Sequence, residues 1–368
     1  MLLWVLGSFA ILFLLLRQSR DGGIRQTLRR YDYSSGAVFA LDSDDARNLS
    51  SIVARLQTVS ASMNGLSFAK RLNAVRVVMD SFFADIEVTS DRIPVNLDGL
   101  PAEWVLARRI DARKRFLYIH GGAFCAGSPN SHRSITSRLS EAIGCAVLAI
   151  DYRLMPENSR QDAMLDCRAA YQFLLDNGPD GSNPADAIFI GGDSAGGNLT
   201  LSLTAWLRDA GSQMPNAVVA LSPLTDSTLD SPSFRNNYRS DVILKTLFRL
   251  LNRVPRALYG SFFFLANKIS VSNPSVSPLL GDLSQMPPLL IQVSESEMLF
   301  DDARRYVNKA REAGSPAYLQ RWESMPHVFQ IFHPELRSAT LALDEVAKFC
   351  QTHSPVRGSF ESLTNAGG

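Results

Sequence analysis

Cysteine is scarce in this 368-residue chain: four are present, Cys125, Cys145, Cys167 and Cys350, and no two form a C-x-x-C pair. That spacing excludes a disulfide framework and a cysteine-based zinc site, and it reads as free thiols. Net charge is also nearly absent. Lys and Arg number 37 against 36 Asp and Glu, so nothing points to a nucleic-acid partner or an acidic substrate. Histidines number only five, at 120, 132, 327, 333 and 353, which leaves a short roster for acid–base chemistry. No internal repeat is visible. What is plentiful is apolar surface, at 46% of residues, enough for a large core in one α/β domain.

Charge is missing altogether from residues 1–16, MLLWVLGSFAILFLLL, and Arg17, Arg20, Arg25, Arg29 and Arg30 follow. A helix of that length covers about 24 Å at ~1.5 Å per residue, a little short of a ~30 Å hydrocarbon core. Arg17 can snorkel to extend it. A cleavable signal peptide wants positive charge before the apolar run and small residues after it. Both are missing, so residues 1–20 are expected to be an uncleaved membrane anchor. With the arginines C-terminal to the span, the positive-inside rule puts the body in the cytoplasm.

Residues 21 to about 82 read as helical. Apolar residues recur at Leu49, Ile52, Val53, Leu56 and Val59, then at Leu66, Phe68, Ala69, Leu72, Val75 and Val78, spacings of amphipathic helices. Strands are expected near 83–90 and 102–108, with Asn96-Leu97-Asp98-Gly99 as the turn signal. Strands at 116–120, 146–151, 187–190, 217–221, 289–293 and 317–322 then alternate with helices at about 132–143, 161–176, 195–209, 302–313 and 335–350. This alternation predicts a doubly wound, mostly parallel sheet covered on both faces, with the first two strands as an antiparallel edge. The long stretch from Ser222 to Pro278 breaks the rhythm. It holds a basic-apolar helix near 242–251 and the cluster Phe262-Phe263-Phe264. The tail at 354–368 is polar and reads as disordered.

Gly192-Asp193-Ser194-Ala195-Gly196 fits G-x-S-x-G between a strand and a helix, the context in which a sharp turn lifts a serine hydroxyl out of a sheet. The Ala195 N–H then sits free in the first helical turn, suited to a developing oxyanion. His120-Gly121-Gly122-Ala123-Phe124 follows another strand. The Gly121 and Gly122 N–H groups, unhindered by Cβ atoms, are the further oxyanion donors. His120 lies before the serine and reads as a brace for its loop. His132 begins a helix, His333 stands at a helix start and His353 borders the tail. His327 lies in a loop after the last strand, where a neutral imidazole can take the serine proton. An orienting acid belongs after the penultimate strand, where Glu295, Glu297, Asp301 and Asp302 compete. The two aspartates stand where a helix should start and read as caps. Glu295 reads as a rim charge, leaving Glu297.

Taken together, these segments resemble the hormone-sensitive-lipase-like esterases of the α/β-hydrolase fold. The resemblance rests on the pieces above plus Asp151-Tyr152-Arg153-Leu154, Pro156-Glu157, Asn273-Pro274 through Pro278-Leu279, and Met325-Pro326-His327. It spans about residues 83–350. Two positions depart from the family pattern: Glu297 stands where Asp is common, and Ala123 where a third glycine is common. The resemblance implies Ser194 as nucleophile, His327 as base, and Gly121, Gly122 and Ala195 as oxyanion donors. Asp151 and Arg153 it implies to be scaffold. It also implies an α/β-hydrolase domain over 83–353 with a helical cap built from 21–82 and the insertion 223–277. Phe124, Leu224, Phe248 and Phe263 are then the candidate substrate-binding residues.

The expectation is a serine carboxylesterase or lipase acting on a small-molecule acyl ester or lipid, with no metal or cofactor. An amidase or peptidase would use the same groups. A non-catalytic receptor on this scaffold is a further alternative, against which the presence of His327 weighs.

Overall fold

A computed structural model describes residues 27–82, 86, 88–248 and 269–355. The anchor expected at 1–20, the Phe262–Phe264 cluster and residues 356–368 of the tail lie outside the described residues. Among the described residues, no helix is long and apolar enough to cross a membrane.

Nine strands make one sheet. They are β1 (Ala37–Phe39), β2 (Asp91–Leu97), β3 (Leu100–Leu106), β4 (Asp111–Ile119), β5 (Cys145–Ile150), β6 (Ala187–Asp193), β7 (Ala217–Leu221), β8 (Leu289–Ser294) and β9 (Ala317–Trp322). Their order is β1-β9-β8-β7-β6-β4-β5-β3-β2. The β2–β3 and β3–β5 pairs are antiparallel, and the remaining neighbours are parallel.

The helices flanking it are α1 (Asp45–Ser62), α2 (Phe68–Phe82), α3 (Arg133–Ile143), α4 (Arg160–Asp176), α5 (Ser194–Asp209), the short α6 (Leu244–Phe248), α7 (Phe300–Glu312) and α8 (Arg337–Thr352). Side chains alternate across the sheet with the two-residue strand period. Leu117, Ile119 and Ile190 meet Ala163, Leu199 and Val307 on one face. Phe116, Tyr118 and Phe189 meet Leu139, Leu343 and Val346 on the other. Burial on both faces explains why these strands read as unbroken apolar runs.

Three expectations need correction. The strand placed near 83–90 forms instead at Asp91–Leu97. Its hairpin is tight: Leu97 pairs directly with Leu100, and Asp98 and Gly99 both take positive φ, so the two-residue turn draws both strands up to it. The segment 21–82 is not wholly helical. β1 adds a three-residue edge beside β9, where Phe39 stacks on Trp322 with centroids 4.3 Å apart. The start of α4 needs no correction beyond one residue, being fixed by a capping box between Ser159 and Asp162. The aspartates at the start of α7 do not cap it: the N-cap position is Leu299, with no side-chain cap bond. Asp302 instead accepts from the Thr225 and Asp226 N–H groups, each at 2.9 Å, and from the Ser231 hydroxyl. Asp301 accepts from the Ser233 N–H at 2.7 Å. Both carboxylates thus fasten the loop that follows β7.

Candidate active site

Ser194 is the first residue of α5, immediately after β6. Its φ is +51°, a left-handed conformation that costs a serine energy and persists only where the surroundings impose it. The glycines at 192 and 196 let the elbow press against the end of β4. A Cβ at Gly192 would lie 2.3 Å from the Ile119 carbonyl oxygen, and one at Gly196 only 1.9 Å from it.

Three loops at the carboxyl ends of the strands converge on the serine. His327 Nε2 lies 2.9 Å from Ser194 Oγ, and His327 Nδ1 lies 2.7 Å from Glu297 Oε2. Glu297 is fully buried and His327 is 4% exposed. The other carboxylate oxygen accepts from the Ser222 hydroxyl and the Ser294 N–H, each at 2.7 Å. Of the four carboxylates after β8, Glu297 is the one brought to His327; Glu295 is paired with Arg321.

Burial pulls the His327 imidazole down, but the adjoining Glu297 carboxylate more than offsets this, and His327 sits above its ordinary value. Burial raises Glu297, against the opposing pull of His327 and of the Ser294 N–H. An imidazole held between a carboxylate and a hydroxyl can accept the hydroxyl proton on Nε2 while Nδ1–H stays on the carboxylate.

In the loop expected to supply oxyanion donors, the free N–H groups begin one residue later than expected. The Gly121 N–H donates to Asp193 Oδ1 at 3.0 Å and is therefore spent. The Gly122, Ala123 and Ala195 N–H groups have no acceptor among the described residues. Gly122, Ala123 and Phe124 all have positive φ, a curl that turns successive N–H groups to one side. His120 braces this loop through Nδ1, 2.7 Å from the Gly121 carbonyl oxygen, and its ring stacks on Tyr152 at 4.3 Å. Burial and the nearby His132 push it down to about 3, so it stays neutral.

The remaining candidates are dispersed. The Leu224 N–H donates to the Ser194 carbonyl at 3.2 Å, beside the serine hydroxyl's own backbone. The Phe124 ring is covered by the Arg160 guanidinium, 4.0 Å from its centroid. Phe248 packs edge-on against Phe234 at 4.9 Å, beside Met298 and Leu299. Phe263 lies outside the described residues. His333 bonds Thr340 and His353 bonds the Phe349 carbonyl, both away from the serine.

Sequence reasoning gave no site role to Ser222, Asp193 and His132, nor to Asn237 and Asp241 in the stretch that follows β7. Asn237 Nδ2 donates to the Glu295 and Glu297 carbonyls, each at 2.8 Å, and Asp241 accepts from the Met298 N–H at 2.9 Å. Only Ser222 carried a signal: it is the first residue beyond a strand end on the side where open α/β sheets bind ligands.

Comparison with known proteins bears on this geometry. Residues 116–331 match a family described as alpha/beta hydrolase fold. An acetyl-hydrolase from Streptomyces hygroscopicus is 38% identical over 258 residues, 70% of this chain and 82% of that protein. An esterase from Acinetobacter venetianus is 34% identical over 75% of this chain and 88% of its own length. The solved structure of an esterase from the bacterial hormone-sensitive lipase family superposes with a TM-score of 0.73 at 32% identity, covering 84% of this chain and 99% of that one.

Proposed function

Given that this chain belongs to the hormone-sensitive-lipase-like esterases of the α/β-hydrolase fold, we propose that it hydrolyses carboxylic esters through an acyl-enzyme on Ser194. The observation that carries this reading is the continuous contact from Glu297 through His327 to Ser194, at 2.7 and 2.9 Å.

Ser194 Oγ attacks the ester carbonyl carbon as His327 Nε2 takes its proton. Negative charge moves onto the carbonyl oxygen, which the Gly122, Ala123 and Ala195 N–H groups receive. The imidazolium, stabilised by Glu297, protonates the departing alkoxide, and an ester bond to Ser194 remains. Water then repeats the sequence: His327 removes its proton, the tetrahedral intermediate collapses, and Ser194 regains its hydrogen as the acid leaves.

With β1 part of the sheet, α1 and α2 together with residues 223–277 act as the cap. Supporting this, the Ser60 and Thr246 hydroxyls join α1 to α6 at 2.9 Å. Arg76 on α2 also donates to the Cys125 carbonyl at 2.7 Å, just beyond the oxyanion loop. The substrate class is an acyl ester or lipid. The uncharged run at 1–16 followed by arginines anchors the enzyme, with its catalytic domain on the cytoplasmic side of the membrane.

The test is labelling by a fluorophosphonate together with turnover of p-nitrophenyl esters. Wild type should label and turn over, and Ser194→Ala should do neither. Full turnover by Ser194→Ala would end the acyl-enzyme reading.

A further inference from the structure

Asp193 stands between Gly192 and the nucleophile, and its side chain points away from the substrate side into the core, where it is 2% exposed. Three donors surround its carboxylate. The Tyr118 hydroxyl donates to Oδ1 at 2.7 Å and the Gly121 N–H to the same oxygen at 3.0 Å. His132 Nε2 lies 3.3 Å from Oδ2. The carboxylate also fills the space beside Gly121, where an added Cβ would come within 2.1 Å of Oδ2.

The other nitrogen of His132 faces acceptors as well. Nδ1 is 3.2 Å from the Ser128 carbonyl oxygen and 3.0 Å from Ser131 Oγ, whose own hydrogen goes to Ser128 O. An imidazole with an acceptor at each nitrogen is best satisfied with both protonated. At 1% exposure, such a cation needs a partner, and Asp193 is the carboxylate that touches it. The ring thereby joins both ends of the oxyanion loop: Ser128 on its far side and, through Asp193, Gly121 on its near side.

We propose that His132 and Asp193 form a buried ion pair that sets the oxyanion loop over Ser194, making both of them positioning residues for acyl transfer. The inference rests on the acyl-enzyme reading above. Two effects follow from the pair. It holds Gly121 against the elbow, so the next N–H groups along the chain, those of Gly122 and Ala123, keep their distance from the reacting carbonyl. It also cancels a carboxylate charge one residue from the nucleophile, a charge that would otherwise oppose the developing oxyanion. Burial lowers His132, and the Asp193 carboxylate reverses that and raises it. The groups facing the ring are Tyr118 on β4 and His120 just past its end, Asp193 on β6, Ser128 and Ser131 in its own loop, and Asp80 on α2, which accepts from the Ser128 hydroxyl at 2.5 Å. Of these, Asp193 is the carboxylate in direct contact with the ring.

The test is steady-state kinetics on p-nitrophenyl acetate for His132→Gln, Asp193→Asn and the double variant. His132→Gln should lose about tenfold to a hundredfold in kcat with KM nearly unchanged, because oxyanion donors act in the transition state. Asp193→Asn keeps an acceptor for Tyr118 and Gly121 and should lose less. The double variant, free of the stranded carboxylate, should recover much of the His132→Gln loss, whereas damage to packing alone would accumulate. Loss of the His132 proton at high pH breaks the pair, so wild-type kcat should fall there, and that limb should be missing in His132→Gln. Unchanged kcat in His132→Gln, or losses that simply add in the double variant, would overturn the ion-pair assignment. If His132→Gln does not fold, Tyr118→Phe takes its place, removing one donor to the same carboxylate: a severalfold loss in kcat at constant KM supports the proposal and none overturns it. Ser194 labelling by fluorophosphonate is measured on each variant. Labelling with full activity in His132→Gln defeats only this inference, whereas failure of wild type to label defeats the acyl-enzyme reading beneath it.

Discussion

The Ser222 hydroxyl donates to Glu297 Oε1 at 2.7 Å, on the opposite carboxylate oxygen from the one His327 uses. The same oxygen atom of Ser222 lies 3.3 Å from the Val328 N–H, next along the chain from His327. One side chain at the end of β7 therefore touches both Glu297 and the loop that carries His327. A hydrogen bond to a charged group is worth about 1.5–3 kcal/mol. Ser222→Ala leaves Glu297 Oε1 with the Ser294 N–H alone and the Val328 N–H unmatched. The expected outcome is a fall of about tenfold in kcat/KM toward p-nitrophenyl acetate, each ~1.4 kcal/mol being a factor of ten, with a lowered melting temperature. Activity equal to wild type would mean that the carboxylate is placed without Ser222.

Glu297 should be sensitive to charge rather than to volume. Glu297→Gln preserves shape but turns one oxygen into an amide donor, so an Nδ1–H on His327 loses its acceptor and the imidazole is pushed toward the wrong tautomer. A loss of about 10³–10⁴-fold in kcat is expected, on the scale seen when a triad carboxylate becomes an amide. Glu297→Asp keeps the charge but withdraws it by one methylene from an imidazole now at 2.7 Å, and should retain more activity than Gln. If Gln proved the more active of the two, the carboxylate charge would not be what His327 requires.

The pH profile follows from the same pair. His327 acts as a base only when neutral, and Glu297 holds it above the ordinary histidine value despite burial, which is about 6.5. As pH falls through this raised value the imidazole protonates and kcat/KM declines. The acid limb should therefore lie above pH ~6.5 in wild type. In Glu297→Gln the raising charge is gone, so the residual activity should show its acid limb at lower pH. A limb that stays in place would assign it to another group.

How far the fold was legible depended on how local each signal was. The strands buried on both faces announced themselves as apolar runs, and Ala217–Leu221 falls where it was expected. β1 could not be read, since three residues carry no period and its principal partner, Trp322, lies far along the chain. Ser194 and its glycines were readable because a strained elbow needs small neighbours at fixed offsets. Chain order singled out His327 and Glu297, which the structure brings into contact. Gly121, expected as an oxyanion donor, has its N–H taken by a carboxylate 72 positions later. The same reason hid Asp193 and His132: their contacts run across loops from different strand ends, and no spacing along the chain encodes that.

Asp302 and Asp226 provide a stability test away from the serine. Asp302 is raised to about 7, first by burial and then by the Asp226 carboxylate; burial also raises Asp226. An unfolded aspartate releases its proton near ~3.9. Between that value and 7 the folded chain therefore binds more protons than the unfolded chain, and stability falls as pH rises through the window. The contribution is present in full below about pH 4 and lost above 7. Asp226→Asn keeps an acceptor for the Thr228 N–H, now bonded to Oδ1 at 2.9 Å. It also removes the like charge and the buried Oδ2 that has no partner among the described residues. The variant should melt higher than wild type at pH 8, by about 1–2 °C for each kcal/mol relieved in this 368-residue chain, while the difference shrinks at pH 5. A melting temperature at pH 8 equal to or below that of wild type would show that the two carboxyls do not repel one another in the folded protein.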